Sequence, residues 1–135
     1  MSVTWEESGW ERLADGVGRV RLPGWDCTVG LVVGADHVLL VDAGSSLAEG
    51  ARLRAQARGL AGGDVTLLAL THPHFDHVFG AAAFTGAEIL AAEGSRAVYG
   101  GAEGARAELR ADAVRHGLDA RAAEEAADAL VRPGR

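Results

Sequence analysis

Three short apolar runs constrain this chain more than any other feature. They are residues 28–33 (Thr-Val-Gly-Leu-Val-Val), 38–41 (Val-Leu-Leu-Val) and 65–70 (Val-Thr-Leu-Leu-Ala-Leu). Runs this short, rich in branched residues and bounded by turn signals, read as strands. Gly34-Ala35-Asp36-His37 separates the first two, so they form a hairpin with a four-residue connection. The runs are continuous rather than alternating, which predicts a sheet covered on both faces.

A helix is expected between the second and third runs. Asp42-Ala43-Gly44 ends the strand, and Ser46 stands three residues before Glu49, a capping-box pattern. Leu53, Ala57 and Leu60 lie at helical spacing, and Gly59 and then Gly62-Gly63 are read as stopping the helix. An earlier strand over 17–22 is read from Val17, Arg19 and Arg21 alternating with Gly18, Val20 and Leu22, closed by Pro23-Gly24. Trp5 and Trp10 are candidate anchors ahead of it. After the third run, a short helical stretch around 78–84 and a strand over 87–91 are expected. Beyond residue 93 the pattern is helical. One segment runs from about Ala102 to His116 and stops near Gly117, and Leu118-Asp119 caps a second with Ala122, Ala126 and Leu130 on one stripe. The order of elements is that of an α/β chain.

Composition narrows the class. The 135 residues suit one domain. Of the apolar residues 27 are Ala, and the bulky ones (Leu, Val, Ile, Phe, Trp, Tyr, Met) number 37, of which 30 precede residue 91. The last third therefore leans on the first ninety residues or on something the chain does not encode. No apolar run approaches the roughly 18 residues of a membrane helix. The acidic start, Met1-Ser2-Val3-Thr4-Trp5-Glu6-Glu7, is not a signal peptide. One cysteine, Cys27, excludes an internal disulfide and a cysteine-based zinc cluster. The net charge of −6 argues against a nucleic-acid surface. A soluble, globular, cytoplasmic protein with no nucleic-acid or membrane partner is expected.

Chemistry is concentrated in Thr71-His72-Pro73-His74-Phe75-Asp76-His77. Imidazole nitrogen and carboxylate oxygen are natural ligands of Zn²⁺. Residues two apart at a strand end point the same way, so His72 and His74 can reach one ion together. Asp76 and His77, past the turn, can face a second position, and paired ions clamp a displacement reaction. The end of a strand opening into a loop is also where α/β folds place their sites. The alternative reading is a solvated histidine-rich loop. His37 reads as a turn residue and His116 as a cap at a helix C-terminus.

These residues resemble the metallo-β-lactamase superfamily of metallohydrolases, together with Leu40-Val41-Asp42-Ala43-Gly44 upstream and the helix between. The resemblance covers roughly residues 16–92 well. It implies an αβ/βα sandwich of which the chain carries the first half only, followed by an Ala-rich helical segment. The domain is then single and incomplete: 1–92 a β-rich half with the His-x-His-x-Asp-His motif, 93–135 helical. The resemblance implies that His72 and His74 ligate a first metal and that Asp76 and His77 ligate a second. It also implies that Asp76 is the catalytic carboxylate and that Asp42 supports the metal loop from behind. A strand-end carboxylate accepting backbone N–H bonds is an equally good reading of Asp42. Two Zn²⁺ ions are implied, with iron an alternative, and the implied reaction is attack of a metal-bound hydroxide on an ester, thioester, lactam or phosphodiester.

The family's further ligands, two histidines and a bridging aspartate in its second half, have no counterpart here. The expectation is a chain that begins at a true start and has lost its C-terminal half. Alone it would be inactive or weakly active, and a second subunit or the missing half would complete the site. A non-catalytic fragment with a partial metal site, or a mononuclear iron oxygenase of the same fold, are the competing readings.

Overall fold

The structure is a computed structural model and describes residues 4–71, 75–91 and 103–129. Among them the strands are β1 (Glu11–Ala14), β2 (Val17–Leu22), β3 (Cys27–Val33), β4 (Val38–Val41), β5 (Leu67–Leu70) and β6 (Glu88–Ala91). The helices are α1 (Leu47–Ala61), α2 (Phe75–Val78), α3 (Glu103–Arg115) and α4 (Ala120–Ala129). The strands form one mixed sheet in chain order, β1-β2-β3-β4-β5-β6. Neighbours from β1 to β4 run antiparallel, and β4, β5 and β6 run parallel. The parallel steps follow from helical segments inserted after β4 and β5, since a parallel pair needs a crossover.

The first two apolar runs are β3 (with Cys27 added at its start) and β4, β5 takes only the last part of the third, and the 28–33/38–41 hairpin forms with Val33 opposite Val38. One expectation is corrected. Among the described residues one face of the sheet is well covered and the other only partly, and burial alternates along β3, β4 and β5. Cys27, Val29, Leu31, Leu40, Leu68 and Leu70 point into a core shared with Leu53 and Ala57 of α1. The opposite face carries Val32, Leu39 and Leu67 in one cross-strand row and Val41, Ala69 and Leu90 in the next. Val32 is 38% exposed and Leu90 42%. Continuous apolarity thus marked two apolar faces, of which the described residues cover one well.

The α1 cap differs from the expected box in one bond. Ser46 Oγ accepts from Glu49 N–H at 3.0 Å, as anticipated. The Glu49 carboxylate instead accepts from Ser45, from its N–H at 2.8 Å and its hydroxyl at 2.9 Å. Trp10 is buried and donates its indole N–H to Gln56 of α1, and Trp5 meets it edge-on. The strand β1 was not foreseen, because its four residues are all exposed and show no apolar period.

The helical last third leans on the chain itself. Leu109 and Ala113 of α3 and Ala123, Ala126 and Ala127 of α4 are buried in the same core as α1 and α2. Small side chains suffice there because alanine faces let helices approach closely. Ala122 is only partly buried, and Leu130 lies outside the described residues. Asp119 caps α4 as expected, accepting from Ala122 N–H at 3.1 Å.

Candidate metal centre

The C-terminal ends of β4 and β5 lie side by side, with Val41 opposite Ala69. Register therefore brings Asp42 and Thr71 together. Asp42 is 2% exposed, and its φ of 70° places it in the left-handed region. Aspartate is among the few non-glycine residues that adopt this conformation readily. Its N–H donates to Ala69 O at 2.7 Å, holding the bend against β5. Its carboxylate accepts from Thr71 N–H at 2.8 Å through Oδ1 and from the Thr71 hydroxyl at 2.8 Å through Oδ2.

His77 is carried back to this point by α2. Its carbonyl accepts from Ala43 N–H at 2.8 Å, and Gly80 N–H donates to Gly44 O at 3.2 Å. The turn after β4 and the α2 segment are thereby laced together. Two glycines permit the approach. A Cβ on Gly80 would lie 1.9 Å from Ala43 O, and one on Gly50 of α1 would lie 2.3 Å from Gly80 O.

His77 Nδ1 lies 2.7 Å from Asp42 Oδ2. An ionised carboxylate only accepts, so Nδ1 carries a proton, and in the neutral imidazole the lone pair is then on Nε2. Nε2 lies 3.6 Å from Asp76 Oδ2. The side chains of Asp76 and His77 are each 17% exposed and that of Asp42 3%. A nitrogen lone pair and a carboxylate thus sit together at the surface, with a buried carboxylate fixing the imidazole from behind. That donor set fits a zinc-like cation and its usual support. His72 and His74 lie outside the described residues.

One residue near the site had no sequence signal. Cys27 begins β3, is 3% exposed, and its Sγ lies 3.7 Å from His77 Nδ1. Burial pushes its thiol up to about 12, reinforced by the charges of Asp42, Asp76, Glu49 and Asp26. Cys27, Ser45, Glu49, Asp76 and Trp25 line a shallow crevice beside the site. Trp25, in the β2–β3 turn, meets Phe75 edge-on at 5.2 Å and donates to the carbonyl of His116 at 2.9 Å. His116 is the expected cap of α3, its ring Nδ1 lying 2.9 Å from Asp112 O. His37 is a turn residue, its ring 3.1 Å from the Thr66 hydroxyl.

No curated protein matches the sequence. Solved structures do. A metallo-β-lactamase from Hirschia baltica is 23% identical with a TM-score of 0.54, over 64% of this chain and 44% of its own. One from Pseudomonas aeruginosa in its mono-zinc form is 21% identical with a TM-score of 0.55, over 71% of this chain and 44% of its own. A motif mutant of the Cronobacter sakazakii enzyme is 27% identical with a TM-score of 0.53, over 69% of this chain and 39% of its own. The chain thus spans less than half the length of each. These likenesses give the α/β fold, and the sequence profile described as "Metallo-beta-lactamase superfamily" matches residues 22–133. That profile covers well over half of the chain, and the chain belongs to the metallo-β-lactamase superfamily.

Proposed function

We propose that the chain is the metal-binding part of a metal-dependent hydrolase, acting on an ester, thioester, lactam or phosphodiester of a small molecule in the cytoplasm. The observation that carries this reading is the 2.7 Å contact of His77 Nδ1 with Asp42, which turns Nε2 toward Asp76 at 3.6 Å. His72 and His74 would hold one Zn²⁺, and Asp76 and His77 a second. A bound cation supplies a nucleophile near neutral pH by lowering the pKa of coordinated water. The protein's part is positional. Asp42 fixes the His77 tautomer, Thr71 fixes Asp42, and the Gly50–Gly80 approach fixes the segment carrying both ligands. In this reading Asp76, partly exposed beside Nε2, orients a water or accepts its proton. Among the described residues no helix is long and apolar enough to cross a membrane.

The open sheet face supports a further element of this reading. The apolar rows Val32–Leu39–Leu67 and Val41–Ala69–Leu90 are the surface against which a completing half, or a second subunit supplying it, would pack. Four ligands shared by two ions leave each ion short of the three that catalytic zinc usually has. The reading therefore expects weak activity from the chain alone. The test is hydrolysis of chromogenic lactam, thioester and phosphodiester substrates by the zinc-loaded chain. Activity should vanish on chelation and in His74→Ala. Turnover that survives His74→Ala would reject the site.

A further inference from the structure

We propose that Cys27, Asp42 and His77 form a second kind of metal seat, for a thiophilic divalent cation such as Zn²⁺ or Co²⁺, on the Nδ1 side of His77. The proposal goes beyond the hydrolase reading and shares His77 and its support Asp42 with it; Cys27 has no part in that reading. Among the described residues these three offer a thiol, a carboxylate and an imidazole whose donor atoms all lie within 4.8 Å of one another. Zinc bonds of about 2.3 Å to sulfur and about 2.0–2.1 Å to nitrogen or oxygen make tetrahedral edges of about 3.3–3.6 Å. The Sγ–Nδ1 separation of 3.7 Å already matches such an edge. The Nδ1–Oδ2 separation of 2.7 Å is that of a hydrogen bond, and it opens by about half an ångström when a cation replaces the shared proton.

The surroundings suit the ion. Asp42 Oδ1 keeps the Thr71 N–H at 2.8 Å, which orients the carboxylate, and Oδ2, which also accepts from the Thr71 hydroxyl at 2.8 Å, is the donor toward the ion. Cys27 lines the crevice with Asp76 and Glu49, and among the described residues no arginine shares that lining. Two carboxylates there favour a cation at its wall. On binding, Cys27 releases its S–H proton to solvent, and a sulfur–metal bond forms. His77 transfers its proton from Nδ1 to Nε2, which then faces Asp76. A neutral imidazole has one lone pair, so an ion on Nδ1 withdraws His77 from the Asp76 side. The two seats exclude one another at His77.

The test uses the full chain, stripped of metal and kept reduced, titrated with Co²⁺ alone. Cys27 is the single cysteine, so any thiolate-to-cobalt charge-transfer band in the near ultraviolet reports on it. The band should grow to saturation at one ion per chain. In Cys27→Ser it should be absent, with cobalt affinity lower by about tenfold or more. In the His72→Ala/His74→Ala double variant it should persist. Cobalt uptake without the band in the wild type overturns the proposal, as does no uptake at all. Zinc-dependent hydrolysis without the band would sink this seat and leave the hydrolase reading standing. The band in a chain that hydrolyses nothing would do the reverse.

Discussion

His77 Nδ1 and Asp42 Oδ2 stand 2.7 Å apart, joining the end of β4 to the short helix that follows β5. A hydrogen bond to a charged group is worth about 1.5–3 kcal/mol. Its larger effect is on orientation, since it decides which nitrogen of His77 is available. Asp42→Asn keeps the shape and tolerates the left-handed backbone, but removes the charge. Zinc affinity should fall about 10–100-fold while the circular dichroism spectrum stays unchanged. Unchanged affinity would show that Asp42 is only a strand-end brace.

The glycine contact behind the site should be intolerant. A methyl group on Gly80 meets the backbone oxygen of Ala43, which cannot move without breaking the bend at Asp42. Gly80→Ala should destabilise the chain by about 3 kcal/mol or more, read as a lower urea midpoint. Gly59 of α1 is the control, since nothing lies within 4 Å of its added Cβ. Gly59→Ala should stabilise by about 0.5–1 kcal/mol.

The metal-free thiol of Cys27 should make the fold sensitive to alkaline pH. An unfolded thiol ionises near pH 8.5, and the folded one is pushed up to about 12. Between those values the unfolded chain loses a proton that the native chain keeps, so stability falls as pH rises through that window. Urea midpoints from pH 7 to pH 10 should drop in the wild type and drop less in Cys27→Ala. Equal slopes would contradict the burial argument.

Arg54 ties α1 to the chain around β5 and β6. It donates to Asp64 at 3.0 Å, to Ala83 O at 2.9 Å and to Thr85 at 3.0 Å. The guanidinium holds the Asp64 carboxyl below its ordinary value. This contribution is present above the unfolded carboxylate's pKa near 4 and is lost as pH falls through the lowered one. Both side chains are about one-third exposed, so screening limits the ion pair. Arg54→Ala should cost about 1–2 kcal/mol near neutral pH, chiefly through the bond to Ala83 O, and less in acid.

Local chemistry was legible where it acts over a few residues. The Ser46 cap, the Asp119 cap and the hairpin at 34–37 follow from side-chain reach and turn composition alone. Asp42 was legible as a strand-end carboxylate, but its bond to His77 depends on the β4–β5 register, which periodicity does not encode. Cys27 had no signal because its neighbours are brought in from β4 and α2, 15 and 50 residues away. The partly covered face was missed for a related reason. An apolar run states what a strand would bury, not whether the chain supplies the layer that buries it.

The central claim is that the loop ending in Asp76 and His77, backed by Asp42, is a metal centre of the hydrolase kind. The most direct test is zinc bound per chain after exhaustive dialysis, measured together for the wild type, His74→Ala and Asp76→Ala. The account predicts about two zinc ions in the wild type and fewer in each variant, with all three folded. Substoichiometric zinc in the wild type, unchanged by either substitution, would contradict it.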